Sequence, residues 1–232
     1  MSLFGPLHLS LLLVIAIAAA GLSLLMRRGI LPQRGTCRVL GLALAANEVV
    51  WWVWRYSREG IHAGNLPLQL CDAAVWFAVA ACLTGVSAVI EFGYFAGLAG
   101  AAMALLTPNL IAPWPAYPAL YFFAAHGGIV ICVAAAVFGA DRRFGARAVW
   151  RSFALLLSYA AMVGIVDAVT GSDYMFLLRK PGAGSLLDYL GPWPWYVATG
   201  AAVALALFWI LWWPVRLTPA AMRTERPLRG RR

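Results

Sequence analysis

Apolar runs of roughly 20 residues recur along this chain, and arginines crowd the gaps that follow the first, fifth and seventh of them. A run of that length, rising roughly 1.5 Å per residue as a helix, crosses about 30 Å of hydrocarbon while satisfying its own backbone groups. Arg27, Arg28, Arg34 and Arg38 lie between the first two runs. Arg142, Arg143, Arg147 and Arg151 follow the fifth, and Arg216, Arg223, Arg226, Arg229, Arg231 and Arg232 follow the seventh. Together they are 14 of the 18 basic residues. Only Arg55, Arg58, Arg179 and Lys180 fall in the opposite set of connections. Positive charge gathers in cytoplasmic loops, so this alternation predicts an exterior N-terminus and a cytoplasmic C-terminus. With 63% of residues hydrophobic and 12% charged, a single water-soluble core could not absorb the apolar surface.

The predicted fold is all-α, a polytopic membrane bundle of about seven transmembrane helices near 6–26, 36–56, 66–85, 88–107, 117–139, 148–170 and 193–215. It forms one domain over residues 1–215, followed by a basic cytoplasmic tail over 216–232 that suits anionic lipid head groups. The formal charge of +9 tracks topology instead of forming a groove-reading face, which excludes nucleic acid as a partner. No basic region precedes the first run, so it is expected to be a retained helix and not a cleaved signal. Cys37, Cys71, Cys82 and Cys132 have no framework spacing and are expected as free thiols. Gly93, Gly97 and Ala101 recur at four-residue spacing, a small-residue stripe that lets helix backbones approach. The polar stretch from 171 to 195 is expected to cap the exterior end of the bundle.

Ionisable residues inside a membrane are costly and normally face the bundle interior, so they are the first place to look for function. Counted from the exterior ends of their helices, Cys71 lies roughly 8 Å deep and His126 roughly 9–14 Å deep. His8, Asn47, Glu48, Asp72 and Asp167 fall in the same outer half. Glu91 lies at the other end, where an arginine is its natural partner. A thiol and an imidazole at one level, with a carboxylate to orient the imidazole, make a generalised nucleophile arrangement. Apolar surroundings disfavour a thiolate, but a helix N-terminus beside Cys71 opposes that. His126 would accept the thiol proton and return it to a leaving alcohol. The expected orienting groups are Glu48, His8 and Asp167. No His-x-x-x-His, Cys-x-x-Cys, Gly-x-Ser-x-Gly or phosphate-binding loop occurs, and neither metal nor cofactor is expected.

Leu66-Pro67-Leu68-Gln69-Leu70-Cys71, Glu91 with Tyr94-Phe95, Leu105-Leu106-Thr107-Pro108-Asn109 and Phe122-Phe123-Ala124-Ala125-His126 resemble the YwaF-like family of bacterial integral membrane proteins. The most specific stretch is Asp173-Tyr174-Met175-Phe176-Leu177 with Lys180-Pro181, Ser185-Leu186-Leu187-Asp188 and Gly191-Pro192-Trp193-Pro194-Trp195-Tyr196. That family is similar to the eukaryotic transmembrane-protein-164 family, whose members resemble phospholipid acyltransferases using an intramembrane cysteine and histidine. It is more distantly similar to androgen-induced-type hydrolases of fatty-acid esters, which use a threonine and a histidine.

The resemblance puts the cysteine on Cys71 and the histidine on His126. It implies supporting roles for Asp72 and Tyr174, and substrate contacts at Asn109, Asp173, Lys180, Asp188, Trp193 and Trp195. The family pattern carries asparagine at the position of Asp173 and often histidine at that of Gln69, so polar contacts near the site differ here. A multi-pass protein of a bacterial inner membrane, with membrane phospholipid as substrate, is what the resemblance implies. The expectation is a thiol-dependent lipid acyltransferase or ester hydrolase in the outer leaflet. The alternatives are a transporter or binding protein whose polar path is lined by Glu48, Asp167, His8 and His126, and a structural subunit of a larger complex.

Overall fold

The computed structural model describes residues 2–182 and 186–216. Most of the basic tail expected over 216–232 lies outside them. The helices are α1 (Pro6–Arg27), α2 (Gln33–Glu59), α3 (Leu70–Thr84), α4 (Ser87–Leu106), α5 (Tyr117–Gly139), α6 (Ala146–Thr170) and α7 (Trp195–Val215). All but α3 are long and apolar enough to cross a bilayer. Pro6 in the first turn of α1 lacks an N–H that would have no partner there anyway. α3 and α6 stop at Gly85 and Gly171, whose φ of +69° and +73° a side chain would resist.

More than half of the apolar window of α4 and of α5 is buried, against 11% for α7, so α4 and α5 form the centre. Each central helix contains a π-helical turn, Gly93–Gly97 in α4 and Ala135–Gly139 in α5. The small stripe on α4 works as packing. A side chain at Gly97 would meet Ile129 of α5 and Ala74 of α3, and one at Gly93 would meet Val133. Gly127 and Gly128 present adjacent faces of α5 to Ile15 of α1 and Leu44 of α2, where an added Cβ would come within 2.9 and 2.7 Å. Such close approach trades side-chain volume for backbone contact, which is how helices pack without a hydrophobic effect between them. Tyr94, fully buried, donates from its hydroxyl to the Leu211 carbonyl at 2.8 Å and ties α7 to the core.

The two ends of the bundle differ. At one end lie the α1–α2, α3–α4 and α5–α6 turns, joined by Gln33 donating to the Gly139 carbonyl (3.1 Å) and Arg143 donating to the Pro214 carbonyl (3.0 Å). Asp141 pairs there with Arg27 and Arg143, each at 3.0 Å. Glu91 has the arginine expected of it, Arg151, at 2.7 Å. At the other end residues 60–69, 171–182 and 186–194 fold over the helices as a cap.

Candidate functional site

The apolar run 66–85 does not start helical. Leu66 (φ −74°, ψ 155°) and Gln69 (φ −64°, ψ 151°) are extended, and α3 begins at Leu70. Pro67 is therefore not in the first turn of the helix. Two tyrosines hold the segment, which turns at Pro67 with the Leu68 N–H on the Leu66 carbonyl (2.8 Å), out of the helix: Tyr159 of α6 donates to the Leu68 carbonyl at 3.1 Å, and the Tyr174 hydroxyl accepts from the Leu66 N–H at 2.7 Å. Proline also disfavours a helical residue before it. The consequence is a recessed helix start.

The Cys82 thiol meets the Cys132 carbonyl, whereas Ala74 and Ile129 share Gly97 as neighbour. Those two registers place Cys71 opposite the stretch of α5 from Tyr121 to His126. The first residue of α3 thus lies three to eight residues below that of α5, or roughly 5–12 Å. Cys71 and Asp72 occupy the first turn of this sunken helix, at its positive dipole end, where the Asp72 and Ala73 N–H groups donate to the Gln69 carbonyl at 3.1 and 3.3 Å.

Asp72, nearly buried, accepts from the Gln69 N–H at 3.0 Å and caps the turn. The Gln69 side chain accepts from the Met175 N–H at 2.9 Å, which locks the turn to the cap. Cys71, half-buried, lies within electrostatic range of Asp72 and Glu48, and both Tyr121 and Tyr159 lie within range of Cys71. Glu48 is fully buried on α2; its carboxylate accepts from Trp52 Nε1 at 2.6 Å and from the Tyr121 hydroxyl at 2.7 Å. Trp51 stacks on Tyr121 at 4.1 Å, fixing that ring. One turn of α2 thus holds Tyr121 by both its hydroxyl and its face. The neighbouring Asn47 amide Nδ2 is buried without a hydrogen-bond partner.

His126 stands on the next face of α5. Its Nδ1 lies 2.8 Å from the Phe122 carbonyl, which can only accept, so the proton sits on Nδ1 and Nε2 carries the lone pair. No hydrogen bond among the described residues joins His126 to Cys71, Glu48, His8 or Asp167. The expected orienting carboxylate is replaced by a backbone carbonyl of the same helix. His8 is committed elsewhere: Nδ1 accepts from the Phe4 N–H at 3.0 Å, and Nε2 donates to the Leu105 carbonyl at 2.8 Å, stapling α1 to α4.

The remaining expected residues build the cap. Asp167, fully buried, accepts the Tyr174 N–H with both carboxylate oxygens at 2.9 and 3.0 Å. The Tyr174 hydroxyl also donates to the Ala63 carbonyl, joining the two cap segments. Met175 and Phe176 follow at φ of +56° and +55°, conformations that cost side-chain residues about 1–3 kcal/mol each. Asp173 accepts from the Leu178 and Arg179 N–H groups at 3.0 and 3.3 Å. Lys180 lies 3.9 Å from Asp188 and over the Tyr196 ring. Trp193, Trp195 and Asn109 are exposed, and Trp193 donates to the Leu177 carbonyl at 3.2 Å. Among the described residues no group of three or more His, Cys, Asp or Glu could hold a metal ion.

Trp52, Tyr121 and Tyr159 are the site residues that the sequence did not single out. The Glu48–Trp52 spacing of four residues was the available signal, since it stacks two side chains on one helix face. Tyr121 and Tyr159 gave none, because which residue meets them depends on helix rotation.

A helical bundle with six helices fit to cross a bilayer and a polar cluster sunk among them defines a multi-pass membrane protein. The family model described as the TMEM164 family matches residues 3–213, and the chain belongs to that family. No curated protein and no solved structure matches it.

Proposed function

We propose that this chain carries out thiol-dependent acyl chemistry on membrane lipid, by transfer or by hydrolysis. The observation that supports it most is Cys71 in the first turn of a recessed helix, opposite the part of α5 that carries His126 with Nε2 unbonded. In this reading the Cys71 sulfur attacks an ester carbonyl. A carbon–sulfur bond forms, the carbon–oxygen ester bond breaks, and the thiol proton passes through His126 Nε2 to the leaving alkoxide. Water or a lipid hydroxyl then attacks the thioester, giving its proton to His126, and the thiolate recovers a proton as the acyl group leaves. In this reading the positive end of the α3 dipole favours negative charge on the carbonyl oxygen. Sulfur and imidazole share no hydrogen bond in the ligand-free chain, and substrate is what closes the gap.

The test is intact mass of the purified protein after incubation with mixed phospholipids, beside Cys71→Ala and His126→Ala. A hydroxylamine-labile acyl adduct on the native chain alone is the expected result. A folded native protein that neither acylates nor turns over lipid would overturn it.

A second reading, a non-enzymatic polar pathway, is favoured by one observation: the partnerless Asn47 amide beside fully buried Glu48. It predicts solute or proton flux into proteoliposomes that is lost in Glu48→Gln. Absence of flux under every gradient applied would exclude it.

A further inference from the structure

At the arginine-rich end, far from Cys71, a cavity of about 460 Å³ opens between α2, the end of α3 and the α5–α6 turn. Arg34, Arg38 and Cys37 line it from α2, Cys82 and Gly85 from α3, and Arg142 from the turn. No carboxylate among the described residues neutralises these arginines. Arg34 and Arg38 have no ion pair or hydrogen bond among the described residues. Arg142 uses one nitrogen on the Gly85 carbonyl at 3.3 Å and leaves Nε buried without a partner. The carboxylates at this end among the described residues are committed to other arginines, Asp141 to Arg27 and Arg143, and Glu91 to Arg151.

A topology signal needs arginines near the membrane surface; it does not need three of them to converge on one hollow with a buried N–H unpaired. Leaving a buried donor unmade costs about 1–3 kcal/mol, a penalty that a bound acceptor removes. The guanidinium fork matches the oxygens of phosphate, and three forks around one cavity select a group carrying several such oxygens. We propose that this cavity is a phosphate-binding site, taking the phosphate of an anionic lipid head group or of a free phosphate. The proposal stands apart from the acyl-transfer reading, since it shares no residue with the Cys71 site.

Cys37 lines the same cavity and serves as the reporter. The full chain in neutral detergent is treated with N-ethylmaleimide, and labelling of Cys37 is followed by peptide mass spectrometry with inorganic phosphate, dihexanoylphosphatidate or dihexanoylphosphatidylcholine as probe. Saturable slowing of Cys37 labelling is expected with phosphatidate and not with phosphatidylcholine. Protection by inorganic phosphate as well assigns the site to the phosphate group itself, and protection by phosphatidate alone assigns it to lipid. In Arg38→Gln and Arg142→Gln the half-protecting concentration rises about tenfold or more, the loss of one charged hydrogen-bond partner. Arg38 makes no ion pair or hydrogen bond among the described residues, so that variant tests binding without threatening structure. Arg147→Gln, an exposed arginine at the same end outside the cavity, leaves protection unchanged. Protection by no phosphate probe, wild-type protection in Arg38→Gln, or an equal loss in Arg147→Gln would overturn the proposal.

Discussion

At the capped end, Asp167, Tyr174, Asn65 and Tyr196 all bond backbone groups of the connections they cover. At the arginine-rich end, Arg34 and Arg38 reach no partner among the described residues, and Arg142 holds one carbonyl while its Nε stays bare. Both ends are rich in polar side chains and both use some of them to build structure, but the arginine-rich end leaves Arg34 and Arg38 over, with no partner among the described residues. The difference has a physical cause. The cap connections are long and dip among helices, where an unpaired backbone group is expensive, so side chains must close on them. The turns at the other end are short, and a few side chains suffice to close them, Gln33 on the Gly139 carbonyl, Arg142 on that of Gly85 and Arg143 on that of Pro214.

Substitutions can break or sharpen this contrast. Asp167→Ala removes the acceptor for a buried N–H and should cost about 2–4 kcal/mol, read as a lower unfolding midpoint in detergent with faster proteolysis within 171–194. Tyr174→Phe, which unties Ala63 from Leu66, should cost about 1–2 kcal/mol and expose the 60–69 connection to the same protease. Arg151→Ala should cost about 1 kcal/mol, because the arginine side chain is 61% exposed although Glu91 beneath it is nearly buried. Arg38→Gln should leave the midpoint within about 0.5 kcal/mol of wild type. A midpoint shift from Arg38→Gln as large as that from Tyr174→Phe would erase the distinction between the ends.

The bundle was legible because each spanning segment announces itself by length, and the placing of α1, α2 and α4 to α7 needed only that and the breakers between them. The start of α3 was not. Leu66-Pro67-Leu68 is as apolar as a helix, and what keeps it out of one is Tyr159 and Tyr174, which arrive from 91 and 108 residues away. The Glu91–Arg151 pair was legible from sidedness alone, since both residues fall at one end of their helices. The Glu48–Tyr121 pair and the turning of His126 onto Phe122 were not, because residue counting fixes depth and leaves rotation free. The cationic cavity stayed hidden for a different reason: its arginines were already explained by topology, and Cys37 and Cys82 were read only as free thiols.

The 15-residue length of α3 has a consequence for the lipid around the protein. At 1.5 Å per residue it is about 22 Å long, some 8 Å short of the hydrocarbon it stands in. Trp76 and Leu83 on its flank are exposed, so acyl chains lie against it. Such hydrophobic mismatch costs fractions of a kcal/mol per Å and is relieved by thinning the adjacent leaflet. Under the acyl-chemistry proposal, thinning on the capped side would draw the glycerol-ester layer toward the first turn of α3 and shorten the path of a lipid to the thiol.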